Sequence, residues 1–238
     1  FTQCIPIWLY NQESLTITQV AVEDDLQRAL AEWEGVSCTD LSFAYQGVTT
    51  LDLIGFDPSE GALNQNTVSF VQERSNWLTD PLAVALTTVT SCQNETEVCA
   101  EGATIDADIE INEAYYVFTA SEAEPQERRM DLLSILTHEF GHLIGLDHPP
   151  LPEATMYMSS VEGEIKKRDL APDDEQGVCE LFPLGDRRQC LLDSYNIQTG
   201  LPVVEEQVVS SDEGGCAHAQ PRGIAILFYL LLSSSFIR

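Results

Sequence analysis

Three histidines and one glutamate fall within eleven residues of a 238-residue chain that has four histidines in all. They read His138-Glu139-x-x-His142, then Gly145, then His148. On a helix, positions 138 and 142 are one turn apart and share a face, so two imidazoles can reach one metal ion. Gly145 lets the chain leave the helix through a conformation that side chains resist, and the turn brings His148 back as a third ligand. Three neutral imidazoles suit Zn2+ and leave a fourth position for water. Glu139, beside the first ligand, is placed to take a proton from that water. A bare H-E-x-x-H arises on many helices by chance. The third histidine and the glycine at these spacings make chance a poor explanation.

A helix must carry the first two ligands. Leu132, Leu133, Ile135 and Leu136 precede them, which predicts a largely buried helix over 127–144. Upstream, residues 4–10 read as a strand. In 22–34, Leu26, Ala29, Leu30 and Trp33 recur at helical spacing, with Glu23, Asp24 and Asp25 suited to a first turn and Gly35 as a stop. Residues 41–45, 67–71 and 82–90 read as strands, and 51–66, with Gly55, Pro58 and Gly61, as a loop. Residues 103–112 alternate apolar and acidic side chains, which predicts a strand with one wet face. Pro172 opens a closing helix that ends before Pro183.

Charge and cysteines narrow the setting. Eleven basic against 39 acidic residues give a net charge of −28, which argues against nucleic acid and anionic lipid as partners. Seven cysteines without C-x-x-C spacing do not read as a zinc-thiolate site. Six of them, Cys4, Cys38, Cys92, Cys99, Cys179 and Cys190, form an even set that reads as disulfides of an enzyme acting outside the cell. Fifteen pairings are open to six cysteines. Neighbourhood suggests Cys92 with Cys99 and Cys179 with Cys190, leaving Cys4 with Cys38. No signal peptide is visible at Phe1.

After His148 the chain reads Pro-Pro-Leu-Pro-Glu-Ala-Thr-Met156-Tyr157. With H-E-F-G-H-x-x-G-L-D-H before it, this resembles the metzincins, and most closely the matrixins, the matrix metalloprotease family. Leu170 to Pro183, L-x-x-D-D-x-x-G-V-x-x-L-F-P, is similar to their closing helix. The resemblance covers about residues 1–185. It implies an α+β metzincin catalytic domain: a twisted, mostly parallel five-stranded sheet with an antiparallel edge strand, an active-site helix, a Met-turn at Met156 and a C-terminal helix. It implies a zinc metalloendopeptidase, a monomer, that hydrolyses peptide bonds of extracellular proteins with one catalytic Zn2+. His138, His142 and His148 are then the ligands and Glu139 the base. Tyr157 lines the pocket beside the metal, and 82–90 is the edge on which a substrate backbone lies. Asp173 and Asp174 read as structural. Animal matrixins hold structural zinc and calcium near a segment that corresponds to Asp106, Asp108 and Glu110. Here Asp108 stands where that pattern has a histidine, which disfavours a second zinc. Ca2+ takes oxygen ligands and could sit on this row; a solvated strand face is the alternative. Two other readings stand beside the endopeptidase. A catalytically silent surface binding protein would have lost a ligand or Glu139, and an exopeptidase would need a group that recognises a chain terminus.

From Leu184 the composition shifts. On this reading residues 1–190 form the catalytic domain, 191–215 an acidic linker and 216–238 a hydrophobic tail. Gly215-Cys216, the apolar run of 224–232 and Arg238 resemble bacterial sorting tails of the myxosortase type. The run is shorter than the roughly twenty residues a spanning helix needs. The resemblance makes Cys216 a site of cleavage or anchoring and the enzyme a secreted or cell-surface bacterial protein, attached to membrane or surface through its tail. A marginal membrane anchor and a disordered tail are the alternatives.

Overall fold

The computed structural model describes residues 4–59, 62–92, 102–121, 123 and 128–185, with the backbone of 195–196, 201–202 and 233–236. Five strands build the central sheet: β1 (Ile5–Tyr10), β2 (Phe43–Thr49), β3 (Thr67–Val71), β4 (Ala85–Ser91) and β5 (Thr104–Asn112). Their order is β4-β5-β3-β1-β2. β1 pairs in parallel with β2 and β3, and β3 with β5, whereas β4 is antiparallel to β5. The expected mostly parallel sheet with one antiparallel strand near its edge is therefore present. The backbone of Ser233–Phe236 lies antiparallel along the outer side of β4 as a sixth strand.

Helix α1 (Gln19–Glu34) packs against the helix that carries the histidines, α2 (Leu132–Leu143). Leu26, Ala29, Leu30 and Trp33 of α1 are buried, and the Trp33 indole N–H donates to the Thr137 carbonyl at 2.9 Å. Every residue of α2 is buried, with Phe140 stacked obliquely against Phe43 of β2 at 5.9 Å between ring centroids. Helix α3 (Pro172–Leu181) begins at the expected proline.

Four expectations are corrected. α1 starts three residues earlier than the apolar stripe suggests, because Thr18 caps it by accepting from the Ala21 amide. Asp25 is thus beyond the first turn. It is buried and accepts from the Ser121 amide and hydroxyl. α2 starts later than residue 127, which itself lies outside the described residues. Arg128 has φ 68°, Met130–Asp131 pairs with Phe118–Thr119, and Asp131 then caps the helix through the Ser134 amide. The acidic row of β5 is not wet: Asp106 and Asp108 are 2% and 0% exposed. The Gly55 amide and the Thr67 amide at the start of β3 donate to Asp108 at 2.6 and 3.0 Å.

The cysteine pairing is the fourth. Cys38, after α1, is bonded to Cys179 of α3, with Cα atoms 5.4 Å apart. Cys4–Cys38 and Cys179–Cys190 are thereby excluded. Neighbourhood in sequence misled because the segment after α1 meets the end of α3 in space: Thr39 bridges Pro183 and donates to the Phe182 carbonyl. Cys4 and Cys92 are also disulfide-bonded. Cys99, Cys190 and Cys216 lie outside the described residues, as do most of 191–215 and 216–238. No described helix is long and apolar enough to cross a membrane.

Candidate metal centre

The site is built on the end of α2. His138 and His142 project from one face, and the helix stops at Ile144. Gly145 has φ 104°. Its amide bonds the His142 carbonyl and the Leu146 amide bonds the Gly141 carbonyl, both at 2.9 Å. This pair of reversed bonds is the Schellman termination, which needs a left-handed residue at that position. The chain then turns back and delivers His148.

The three Nε2 atoms converge. They lie 3.2 Å (His138–His148), 3.1 Å (His138–His142) and 3.0 Å (His142–His148) apart. Four-coordinate zinc with nitrogens at about 2.0–2.1 Å would hold neighbouring ligand atoms about 3.3 Å apart. The outer nitrogens are anchored. His138 Nδ1 donates to the Thr155 carbonyl at 2.6 Å and His142 Nδ1 to the Leu146 carbonyl at 2.8 Å. With the ring protons held there, both Nε2 lone pairs face the common point. Burial holds the imidazoles neutral: His138 falls well below its ordinary range, His142 is pushed down to about 4, and His148 is lowered as well. The donor set fits Zn2+, and it is the group of three among the described residues able to hold a metal.

Glu139 is fully buried. Oε2 accepts a hydrogen bond from the Thr87 hydroxyl of β4, and Oε1 has no partner. Burial pushes its carboxyl up to about 8, against the opposing effects of Thr87 and of Lys167. A nearby cation would restore the carboxylate. The carboxyl thus has one oxygen fixed and one free to exchange a proton.

Met156 lies below the ligands. A Cβ on Gly141 would come within 2.1 Å of the Met156 sulfur and 2.9 Å of Trp33, so only glycine fits between the histidine turn and its floor. Asp174 holds that floor in place. Its carboxylate accepts from the Thr155 amide (2.7 Å), the Met156 amide (3.0 Å) and the Ala171 amide (2.9 Å). It is buried, as a structural acid should be, whereas Asp173 is exposed. Tyr157, half-buried, follows at the edge of the site.

Two residues of the site carry no signal in the sequence. Thr87 is one of several threonines in a strand. Lys167 lies in a Lys-Lys-Arg run that reads as solvated surface, yet it is 1% exposed. Its ammonium donates to the Tyr157 carbonyl and sits 3.2 Å from His138 Nδ1. Burial lowers its pKa to about 8, against the pull of Glu164 and Glu139.

A model of the family described as Matrixin matches residues 7–183, well over half of the chain. Among curated proteins, Metalloendoproteinase 1-MMP of Arabidopsis thaliana is 44% identical over 68 residues, 29% of this chain and 18% of the relative. Metalloendoproteinases 5-MMP and 2-MMP of the same plant are 40% identical over 60 residues and 42% over 53. They are covered over 24% and 22% of this chain and 16% and 14% of their own lengths. The matched segments thus span less than a fifth of any of the three relatives.

Proposed function

This chain belongs to the matrixin family, and from that premise we propose that it is a zinc-dependent endopeptidase acting on proteins or peptides outside the cell. The observation that carries the proposal is the convergence of three Nε2 atoms beside a buried glutamate with one free oxygen. His138, His142 and His148 hold the ion. Zinc bound there supplies a Lewis acid that acidifies a water and polarises the scissile carbonyl. Glu139 takes the proton of the attacking water at Oε1 and delivers it to the leaving amine. The Thr87 hydroxyl keeps Oε2 occupied, so the proton has one seat. The extended substrate pairs along the outer edge of β4 through backbone bonds, which lets one site hold many sequences. Ser233–Phe236 lies on that same edge, so the two exclude each other.

The remaining assignments belong to this proposal. Residues 1–190 form the catalytic body, 191–215 a linker and 216–238 a sorting tail of the myxosortase type, processed at Cys216 in a bacterial secreted or surface protein. Met156 is the Met-turn residue and Tyr157 lines the pocket.

The test uses the full chain with an unfolded protein, with and without a zinc chelator, beside Glu139→Ala. Internal cleavage stops with chelator and returns with zinc. The variant retains zinc and loses roughly 10²–10⁴-fold in kcat. A variant with full activity would refute the role of Glu139, and a chain that binds no zinc would refute the proposal.

A further inference from the structure

The outer edge of β4 is already occupied. The backbone of Ser233–Phe236 runs antiparallel along it, with Ser233 opposite Val89, Ser234 opposite Thr88, Ser235 opposite Thr87 and Phe236 opposite Leu86. On its other side β4 pairs with β5, from Ala85 to Ser91. A strand has two edges, and each backbone amide on an edge has one proton to give. With both edges paired, β4 has no amides left over this stretch for a third strand.

The occupied stretch is the one beside the metal centre. Ser235 stands opposite Thr87, and the Thr87 hydroxyl donates to Glu139 Oε2. Helix α2, which carries Glu139 and the first two histidines, packs against β4. Residues 233–236 thus hold the place along β4 that an extended peptide needs in order to bring a bond to Glu139. The pairing is between main chains and asks no particular side chains of the segment. The chain between Gly185 and Ser233 is long enough for this return. An extended residue spans about 3.3 Å, and a body of this size is roughly 40 Å across.

We propose that Ser233–Phe236 is a tethered strand competitor that closes the substrate edge of β4 in the intact chain, and that hydrolysis of any peptide bond between the body and Ser233 opens it. The inference rests on the endopeptidase reading. Tethering supplies the strength that four residues lack alone. A strand that binds with a Kd on the order of 0.1 mM, held at an effective concentration on the order of 1 mM, leaves about one molecule in ten open. Cut loose at micromolar protein, the same segment dissociates. Removal of the tail is therefore an activating step.

The test uses the zinc-loaded full chain with the recognition sequence of a sequence-specific protease placed between residues 203 and 215. A reporter peptide is made from a site that the chain cleaves in an unfolded protein, and kcat and KM are measured before and after the tail is cut loose. Cutting should lower KM about tenfold and leave kcat unchanged, because saturating substrate displaces a competitor from the edge. The uncut chain carrying Ser234→Pro together with Ser235→Pro should show the low KM already. One of any two neighbouring strand residues directs its N–H at the partner, and proline has none. A KM that neither the cut nor the prolines lower overturns the inference and leaves the endopeptidase standing. Absence of cleavage of any unfolded protein by the zinc-loaded chain, cut or uncut, overturns the endopeptidase reading and this one with it.

Discussion

Asp106→Asn should remove a large part of this protein's loss of stability at neutral pH. Asp106 and Asp108 are buried side by side on β5 and hydrogen-bonded to each other. Two carboxyl groups can share such a bond only when one of them carries a proton. Both Asp108 oxygens accept backbone amides, from Gly55 and Thr67. The pair therefore holds one proton between the two carboxyl groups, and Asp106 Oδ2 has no further partner. Burial pushes Asp106 up to about 7 and Asp108 upward as well, and the neighbouring Glu110 is raised by burial and by Asp52. An unfolded aspartate titrates near 3.9. The folded state thus binds the proton more tightly. Its advantage is complete below about pH 4 and is lost as pH rises toward about 7, at about 1.4 kcal/mol per pH unit. Over three units this amounts to about 4 kcal/mol. An asparagine amide donates to Asp108 without titrating. Denaturant unfolding of both proteins from pH 4.5 to 7.5, in a calcium chelator, should show the wild type losing more stability toward neutrality than the variant, the difference between the two curves being the contribution of Asp106. Parallel curves would refute the shared proton. Wild-type stability that instead rises with pH and with added Ca2+ would assign the row to a cation.

Asp174→Ala leaves three amides without an acceptor. It should cost roughly 3 kcal/mol or more and weaken zinc binding, measured by competition with a chromophoric chelator; unchanged zinc affinity would separate the Met156 floor from the ligands. Gly145→Ala places a side chain at φ 104° and should cost about 1–2 kcal/mol, read by thermal melting, with the loss concentrated in metal affinity because His148 depends on that turn. Cys38→Ser opens a cross-link between residues 141 apart, worth about 5 kcal/mol by loop entropy; wild type and variant with equal melting temperatures would show the bond to be dispensable.

The elements around the metal centre were legible because local rules set them. The ligand spacing is a helix followed by a glycine turn, and both are short-range features. The sheet followed from strand patterns together with the family order. What the sequence could not disclose depends on contacts between distant segments. Thr87 meets Glu139 across 52 positions, and Cys38 meets Cys179 because the segment after α1 runs beside the end of α3. The acidic alternation of β5 suggested water on one face. Instead Asp108 is met by the Gly55 amide of an irregular segment and by the Thr67 amide of β3, contacts that the alternation does not signal. Lys167 was hidden for a related reason: a charge run on paper is a surface run unless the fold threads one member inward.

The three ligands occupy a short stretch, but what straightens them is made later. His138 is oriented by the Thr155 carbonyl, and the turn containing Thr155 and Met156 is itself gripped by Asp174. During synthesis the histidines leave the ribosome first, then their floor, and the grip last. A nascent or prematurely ended chain that stops short of α3 has the full set of metal-binding side chains without the frame that aims them. On the endopeptidase reading proposed above, a chain would therefore gain activity only once α3 had been made and Asp174 could grip the turn.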